Sequence, residues 1–388
     1  LKRVQKICFL FNHDQTHQIA HSLPIALQMV KSGMIEVTIA VTSAALETEI
    51  RRLGGAALHE VNIVSLQTTS TLSHVLVRAL EQFAPARKLL IYRDNIEFFR
   101  QFDVLVVSEK SSLILKSRYG LKDMKFIHTR HGAGDRAIGF NAESAQFDLI
   151  LVSGEKIRDR LLRDAKVPPD KIRITGYAKF DIAVPDQKPL FPHSERRTIL
   201  YNPHPSPHIS SWFDFGADVL EQFYRSERYN LIFAPHVMLF ARPWTVTVDK
   251  LSIAYAKKPA QKYHDAPHML MDLGSSACTD MTYTNAADLY LGDVSSQIYE
   301  FLHRPRPCLF LDAHRTEWQG SPDYRHWTTG PVKTDARNII AAVDEAFARH
   351  DSFREAQQIV LADSFSVTDE PASLRGAKAI SDYLDSPN

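Results

Sequence analysis

Short apolar runs recur along the chain, and between them the apolar positions fall at helical spacing. "VQKICFLFN" (4–12) predicts a strand and 16–32 a helix. "EVTIAVTS" (36–43) predicts a second strand, with a helix over 44–53. "HEVNIVSL" (59–66), a long helical region over 74–98, "FDVLVVSE" (102–109), "KFIHTRH" (125–131) and "FDLILVSG" (147–154) continue the series. One more short strand within "VPPDKIRITGYAKFD" (167–181) closes it. β-rich apolar runs separated by helices predict a parallel sheet covered on both faces.

The segment 182–196 is rich in Pro and polar residues and reads as a linker. The alternation then restarts. "RTILYNP" (197–203), "NLIFAPH" (230–236), "HMLMDL" (268–273), "ADLYLGD" (287–293) and "PCLFLDA" (307–313) predict strands, and 212–226 a helix. Two or three helices are expected in the tail, over 335–349, 353–363 and 373–385. The chain of 388 residues exceeds the usual size of one core. The expectation is an α/β protein with two Rossmann-like domains facing across a cleft. An N-terminal domain covers 1–185 and a C-terminal domain 195–365. A final helix within 366–388 packs back on the first domain.

Composition narrows the function classes. Hydrophobic residues at 44% and charged residues at 23% are those of a globular protein. A net charge of +1 gives no global signal for nucleic acid, so any recognition of charge is local. Cys8, Cys278 and Cys308 lie in or near apolar runs without metal-ligand spacing, which argues for a reducing compartment and against a disulfide framework. No apolar run is long enough to span a bilayer. The first residue is Leu1, which leaves room for an initiator Met or a longer upstream region. No GxGxxG follows the first strand and no GxxxxGK[ST] occurs, so a Rossmann dehydrogenase and a P-loop NTPase lose support.

Chemistry concentrates at predicted strand ends, where open parallel sheets bind ligands. "FIHTRHGAGDR" (126–136) ends a strand with His128, Arg130 and His131, then Gly132 and Asp135. Glycine lets a backbone pass close to a ligand, and a histidine titrates near neutrality. The bland alternative is a loop turn. "LIFAPHVML" places His236 at a strand end of the second half, and "LYNPHPSPH" adds His204 and His208, the latter reading as part of a stiff surface loop. In "DLYLGDVSSQIYEFL" (288–302) a strand ends, and Asp293, Ser295 and Ser296 open a helix. Free N–H groups and hydroxyls there suit a phosphate or pyrophosphate; an ordinary capped helix start reads the same. Asp293 orients the turn, holds a ligand hydroxyl or binds a metal with the phosphates. Glu300 is a solvated or structural carboxylate, or meets a ribose.

These residues resemble those of the CDP-glycerol glycerophosphotransferases, the teichoic acid polymerase and primase family. "ADLYLGDVSSQIYEFLHRPRPCLFLD" is similar to its "aDvlItDySSvxfdfxxlxkPxxfxxxD" region, and "HTRHGAGD" to its "WHGTxxK" segment. "VSGEKIRDRLL…ITGYAKFD", "RTILYNPHPS" and "NLIFAPHV" resemble three further blocks, in the same order over about residues 125–313. The resemblance implies a GT-B-like fold and transfer of an alditol-phosphate from a CDP donor, releasing CMP. His131 would be the general base, His236 would hold or protonate donor phosphate, and Asp293, Ser295, Ser296 and His204 would surround the donor pyrophosphate. Arg130, Gly132, Asp135 and Arg136 would support the acceptor side. It implies a polyprenyl-linked or glycan acceptor and work at the inner face of the cytoplasmic membrane. No tightly bound cofactor is implied, and a divalent cation has no support in the sequence.

Several basic residues of the pattern are missing. Arg130 replaces a Trp, Arg136 stands in charge for a Lys, Ala234 replaces a Lys, and Ala178-Lys179 replaces Pro-Arg. Lys179, Arg242 and Arg304 are the candidate replacements. Two other readings follow. A GT-B glycosyltransferase of envelope polysaccharide synthesis would use a nucleotide sugar at the same place. A non-catalytic partner in an envelope-polymer complex would explain the lost cations. A sugar 2-epimerase of this fold is disfavoured because "CFLFNHDQTH" lacks the Gly-Thr-Arg-Pro start. The basic stretch 156–173 reads as a solvated helix face rather than a lipid contact.

Overall fold

The computed structural model describes residues 4–13, 16–33, 35–59, 61–68, 84–130, 132, 134, 139–182, 189–241, 243–247 and 252–386. The chain forms two units: Leu1–Gly132 with Ile138–Ala183 and Asp363–Asn388, and Ala133–Ala137 with Val184–Ala362.

The first unit is built on β1 (Lys6–Phe11), β2 (Glu36–Val41), β3 (Asn62–Ser65), β4 (Val104–Val107), β5 (Lys125–Thr129), β6 (Leu149–Val152) and β7 (Ile172–Ile174). They form one parallel sheet in the order β3-β2-β1-β4-β5-β6-β7. Cys8 and Leu10 of β1 enter one core, and Ile7, Phe9 and Phe11 the other. Burial of both faces is why the strands read as continuous apolar runs. The helix Leu23–Ser32 covers one face through Ile25, Ala26 and Met29, and the terminal helix Ala372–Asp385 packs there through Ala377 and Ile380. Gly376 allows the close approach: a Cβ there would lie 2.9 Å from Ile25. The Ser373 N–H donates to Asp181 (2.6 Å), tying this helix to the residues after β7.

The second unit holds β8 (Thr198–Asn202), β9 (Asn230–Phe233), β10 (Trp244–Thr247), β11 (Ser252–Tyr255), β12 (Met269–Met271), β13 (Leu289–Gly292), β14 (Cys308–Leu311) and β15 (Val332–Lys333). Six make a parallel sheet in the order β12-β9-β8-β13-β14-β15, and β10 and β11 form a separate antiparallel hairpin. The helix Trp212–Ser226 buries Val219, Leu220 and Phe223 in the core with Ile199, Leu231 and Leu289.

The expected strands are present, one to three residues shorter at most ends because the flanking polar residues leave the ladder. The hairpin and β15 are additions to the predicted order. Of the long helical region, Ala84–Asp94 and Ile96–Phe99 are helical, and 74–83 lie outside the described residues. The three cysteines are free and buried. No described helix is long and apolar enough to cross a membrane.

Candidate ligand site at the carboxyl ends of the second sheet

Strand order in the second sheet reverses between β8 and β13. At such a switch point the connections leave in opposite directions and open a crevice beyond the strand ends. The sequence places Asn202-Pro203-His204 after β8, Ala234-Pro235-His236 after β9 and Asp293-Val294-Ser295-Ser296 after β13. Buried polar side chains clamp these ends. The Tyr290 hydroxyl donates to Asn202 (3.0 Å), whose amide donates to the Ala234 carbonyl (2.6 Å). Gly292 leaves room for this tyrosine, since a Cβ there would stand 2.6 Å from its ring. Ala234, at the position where the resembled family has a lysine, is buried.

Asp293 is the hub. Its carboxylate is fully buried and accepts from the His204 N–H (2.9 Å), the Ser211 N–H (2.6 Å), the Ser211 hydroxyl (2.8 Å) and the Val294 N–H (2.6 Å). Its backbone carbonyl accepts from His326 Nε2 (3.1 Å) and Trp327 Nε1 (2.9 Å). Burial pushes the carboxyl pKa up, and the hydrogen bonds from Ser211, His204 and Val294 oppose that rise. The acid therefore orients the turn. It also caps the 15-residue helix Trp212–Ser226, because Ser211 is that helix's N-cap. It does not cap the helix that follows it in sequence.

The two serines divide. Ser295 is buried, and its hydroxyl accepts from the Gln297 N–H (3.3 Å). Ser296 is exposed, at the N-cap of the helix Gln297–Leu302, with no side-chain cap bond. That helix has six residues, under two turns, so its dipole adds little to anion binding. Backbone N–H groups and the Ser296 hydroxyl are what this turn offers a ligand. Glu300 is buried on the same helix rather than solvated.

His204 and His236 stand side by side, their ring centroids 5.9 Å apart. Nδ1 of His204 accepts from the Ser206 N–H (3.0 Å), and Nδ1 of His236 from the Met238 N–H (3.2 Å). Each bond occupies the lone pair of Nδ1 and puts the proton of the neutral ring on Nε2. Burial lowers the His236 pKa to about 4, so this imidazole is neutral at physiological pH. It is a hydrogen-bond donor rather than a charged acid. The sequence reading missed three residues that build the site: Ser211, His326 and Trp327. Their signal is three-dimensional, since all three bind Asp293 from distant positions.

In the first unit, Arg130 follows β5. Its Nη1 donates to the Gly139 carbonyl (2.9 Å), and its guanidinium lies 4.3 Å from the Phe140 ring centroid. Burial, then the charge of Arg160, lowers its pKa to about 10. Gly132 has φ +75°, a left-handed backbone that favours glycine. His128 is buried, bonded to the Ser108 carbonyl (3.1 Å) and stacked on Phe147. His131, Asp135, Arg136 and Arg242 lie outside the described residues. Of the candidate replacement cations, Lys179 is buried, and the exposed Arg304 donates to the Asn285 carbonyl (2.8 Å). Among the described residues no group of three or more His, Cys, Asp or Glu is arranged to hold a metal ion.

No family model matches the chain, and no curated protein matches it. Solved structures do. The wall teichoic acid polymerase TagF, in a variant soaked with CDPG, matches at TM-score 0.62 and 15% identity over 98% of this chain and 90% of that one. The S. aureus MnaA–UDP structure matches at TM-score 0.60 and 16% identity over 98% of this chain and 97% of its own. A UDP-GlcNAc 2-epimerase from Neisseria meningitidis, bound to UDP-GlcNAc, matches at TM-score 0.55 and 13% identity over 98% and 99%. At such identities the likeness establishes the fold, that of two Rossmann-like domains, and leaves the chemistry open.

Proposed function

We propose that this chain is a transferase that moves an alditol-phosphate from a CDP-activated donor to a glycan or polyprenyl-linked acceptor in cell-envelope polymer synthesis. The observation that carries the reading is the pair of histidines, His204 and His236, tautomer-fixed at the switch point where the resembled family's Asp-x-Ser-Ser turn ends its strand. Phosphoryl transfer needs fixed donors around a spreading negative charge more than covalent help from the protein. Nε2–H groups, turn N–H groups and the Ser296 hydroxyl supply such donors. Asp293 acts through the loops it holds, not through contact with the donor.

In this reading an acceptor hydroxyl oxygen forms a bond to the phosphorus that bears the alditol. The bond from that phosphorus to the bridging oxygen breaks, and CMP leaves with the electron pair. His131 takes the acceptor proton. Arg130, Gly132, Asp135 and Arg136 are assigned to the acceptor side by the family pattern alone. The resemblance supports a site of action at the inner face of the cytoplasmic membrane.

The fold likeness to UDP-bound structures favours one alternative, a nucleotide-sugar-dependent enzyme using the same switch point. Isothermal titration with CDP, CMP, UDP and GDP separates the readings. Cytidine-selective binding that Ser295→Ala/Ser296→Ala abolishes supports the CDP-alditol donor, and turnover of CDP-glycerol and CDP-ribitol follows. A preference for UDP supports the nucleotide-sugar enzyme. Absence of binding to all four overturns the donor site and leaves a non-catalytic partner.

A further inference from the structure

Seven large hydrophobic side chains are at least half exposed among the described residues, and four of them fall between residues 238 and 255: Met238, Trp244, Ile253 and Tyr255. Three of these belong to the β10–β11 hairpin. Trp244 pairs directly with Tyr255 across the ladder, and opposite residues of an antiparallel pair share a face. Ile253 is two residues from Tyr255 and lies on that face too. Their exposures are 59% (Trp244), 68% (Ile253) and 55% (Tyr255). Thr245 and Ala254, paired on the opposite face, are less exposed. The ribbon is thus inverted: its small residues turn inward and its large apolar residues turn to water. The two rings also support each other, at 5.1 Å between centroids. The ribbon's base is fixed, since the Ala256 N–H donates to the Pro243 carbonyl (2.9 Å) and Ala256 is buried in the core.

The sequence around the hairpin is basic, with Arg242, Lys250, Lys257, Lys258 and Lys262 against Asp249 over residues 238–262. Of these, Lys262 is paired with Glu221 (2.5 Å), so Lys257 and Lys258 are the cations that matter here among the described residues. Lys257 and Lys258, just past Tyr255, are exposed. A Trp and a Tyr beside an aliphatic side chain, followed by lysines, match the polarity profile of a bilayer surface. The rings and the aliphatic group enter the interface, and the ammonium groups meet phosphate headgroups. We propose that the β10–β11 hairpin docks the protein on an anionic phospholipid membrane, with Trp244, Ile253 and Tyr255 inserted and Lys257 and Lys258 on the headgroups. The inference does not depend on the donor chemistry proposed above.

It differs in place from the basic stretch 156–173. There Ile157 and Leu161 are in the core, and Arg158, Arg160 and Arg163 pair with Glu155, Asp159 and Asp164. The apolar side chains of that helix are thus spent on the core, and three of its arginines on neighbouring carboxylates.

The test is sedimentation of the full chain with phosphatidylglycerol-containing and with pure phosphatidylcholine vesicles, together with tryptophan emission. Trp212 and Trp327 are buried and Trp318 is half-buried against Trp327, so a blue shift on vesicle addition is assigned to the hairpin by its loss in Trp244→Phe. Binding is expected only to the anionic vesicles and to weaken at high salt. Lys257→Gln and Lys258→Gln should each weaken it roughly fivefold. The triple change of Trp244, Ile253 and Tyr255 to Ser should weaken it by at least roughly tenfold. Ile253→Ser alone, with an unchanged unfolding midpoint, guards against a misfolded triple variant. A chain that stays in the supernatant with anionic vesicles overturns the proposal. So does a triple variant that binds as well as the parent. Conversion of a dimer to a monomer by the triple change also overturns it, because the occupant is then a second copy.

Discussion

The two sheets have the same kind of switch point and furnish it in opposite ways. In the second, the buried Asp293 is held only by neutral donors, and its pKa is raised. In the first, strand order reverses between β1 and β4, and Glu109 after β4 is held by charge. Lys88 Nζ lies 2.6 Å from its Oε2. His13, which follows β1, has Nδ1 3.6 Å from Oε1, too long for a full hydrogen bond, so Lys88 carries most of the pairing. Burial alone would raise the Glu109 pKa; His13 and Lys88 more than reverse this and bring it to about 2. Asn12 adds a bond to Ser112 (3.1 Å) and one to Tyr92. Equal topology thus furnishes two sets of strand ends, one with backbone N–H groups and the neutral imidazole of His236, the other with an ion pair. The first kind suits an anion, because the Asp293 carboxylate there is buried and its oxygens are taken up by the donors of His204, Ser211 and Val294. The second suits an uncharged, hydroxyl-bearing group.

The sharpest way to break this contrast is to remove the hub of the second sheet. Asp293→Ala leaves several buried donors without an acceptor. The expected loss is about 3–5 kcal/mol of unfolding free energy, because unpaired buried polar groups cost far more than an average hydrogen bond contributes. Asp293→Asn keeps acceptor oxygen and should recover part of it. Urea unfolding measures both. A loss under about 1 kcal/mol for the alanine variant would show that the turn does not depend on this carboxylate.

Next in size is Glu109. Its pKa is lower in the fold than the ordinary 4.5, so its stabilisation is full above pH 4.5 and is lost as pH falls from 4.5 through about 2. Glu109→Gln should cost up to about 3 kcal/mol at neutral pH and flatten the stability profile across that window. Asp293 has the opposite sign. Its raised pKa means that the fold favours the protonated form, so acid does not remove its contribution. Hydrogen exchange across pH 4.5 to 2 should show the ends of β1 and β4 opening before the Asp293 turn does. The reverse order would overturn the contrast.

How much of this was legible in the chain depends on which residues talk to which. Continuous apolar runs such as "KICFLF" and "LYLG" gave both parallel sheets, because burial on two faces leaves a one-dimensional signature. The hairpin was not read, although "WTVTVDKLSIAY" alternates apolar and polar residues on both sides of a polar pair. It interrupts a parallel series, and its apolar face turns outward, against the usual expectation. At the site, sequence placed His204, His236 and the Asp-Val-Ser-Ser turn at strand ends. It could not say where the Asp293 carboxylate points. That depends on Ser211, 82 residues away, and on the N-terminus of a different helix.

Tyr290→Phe is a smaller test. It removes the bond to Asn202 and should cost about 1–2 kcal/mol. Nucleotide affinity should fall with it, since Asn202 joins the ends of β8 and β9. If stability falls and affinity does not, the clamp serves the fold alone.

The smallest effect, and the most discriminating, belongs to His236. Its folded pKa of about 4 lies below the ordinary 6.5, so its contribution is present above pH 6.5 and lost as pH falls through 4. Replacing it should change stability by about 1 kcal/mol in that window, after allowance for its partial exposure. Two amide substitutions divide the ring's two nitrogens between them. Asn at this position puts an acceptor near Nδ1, where the Met238 N–H donates, and offers nothing at Nε2. Gln reaches the Nε2 position with a donor. If His236 serves the donor phosphate through Nε2–H, His236→Gln retains nucleotide affinity within a few-fold and His236→Asn loses it. If the imidazole only fixes the loop after β9, the order reverses: Asn preserves affinity, Gln does not, and calorimetric titration of both variants decides which nitrogen the site uses.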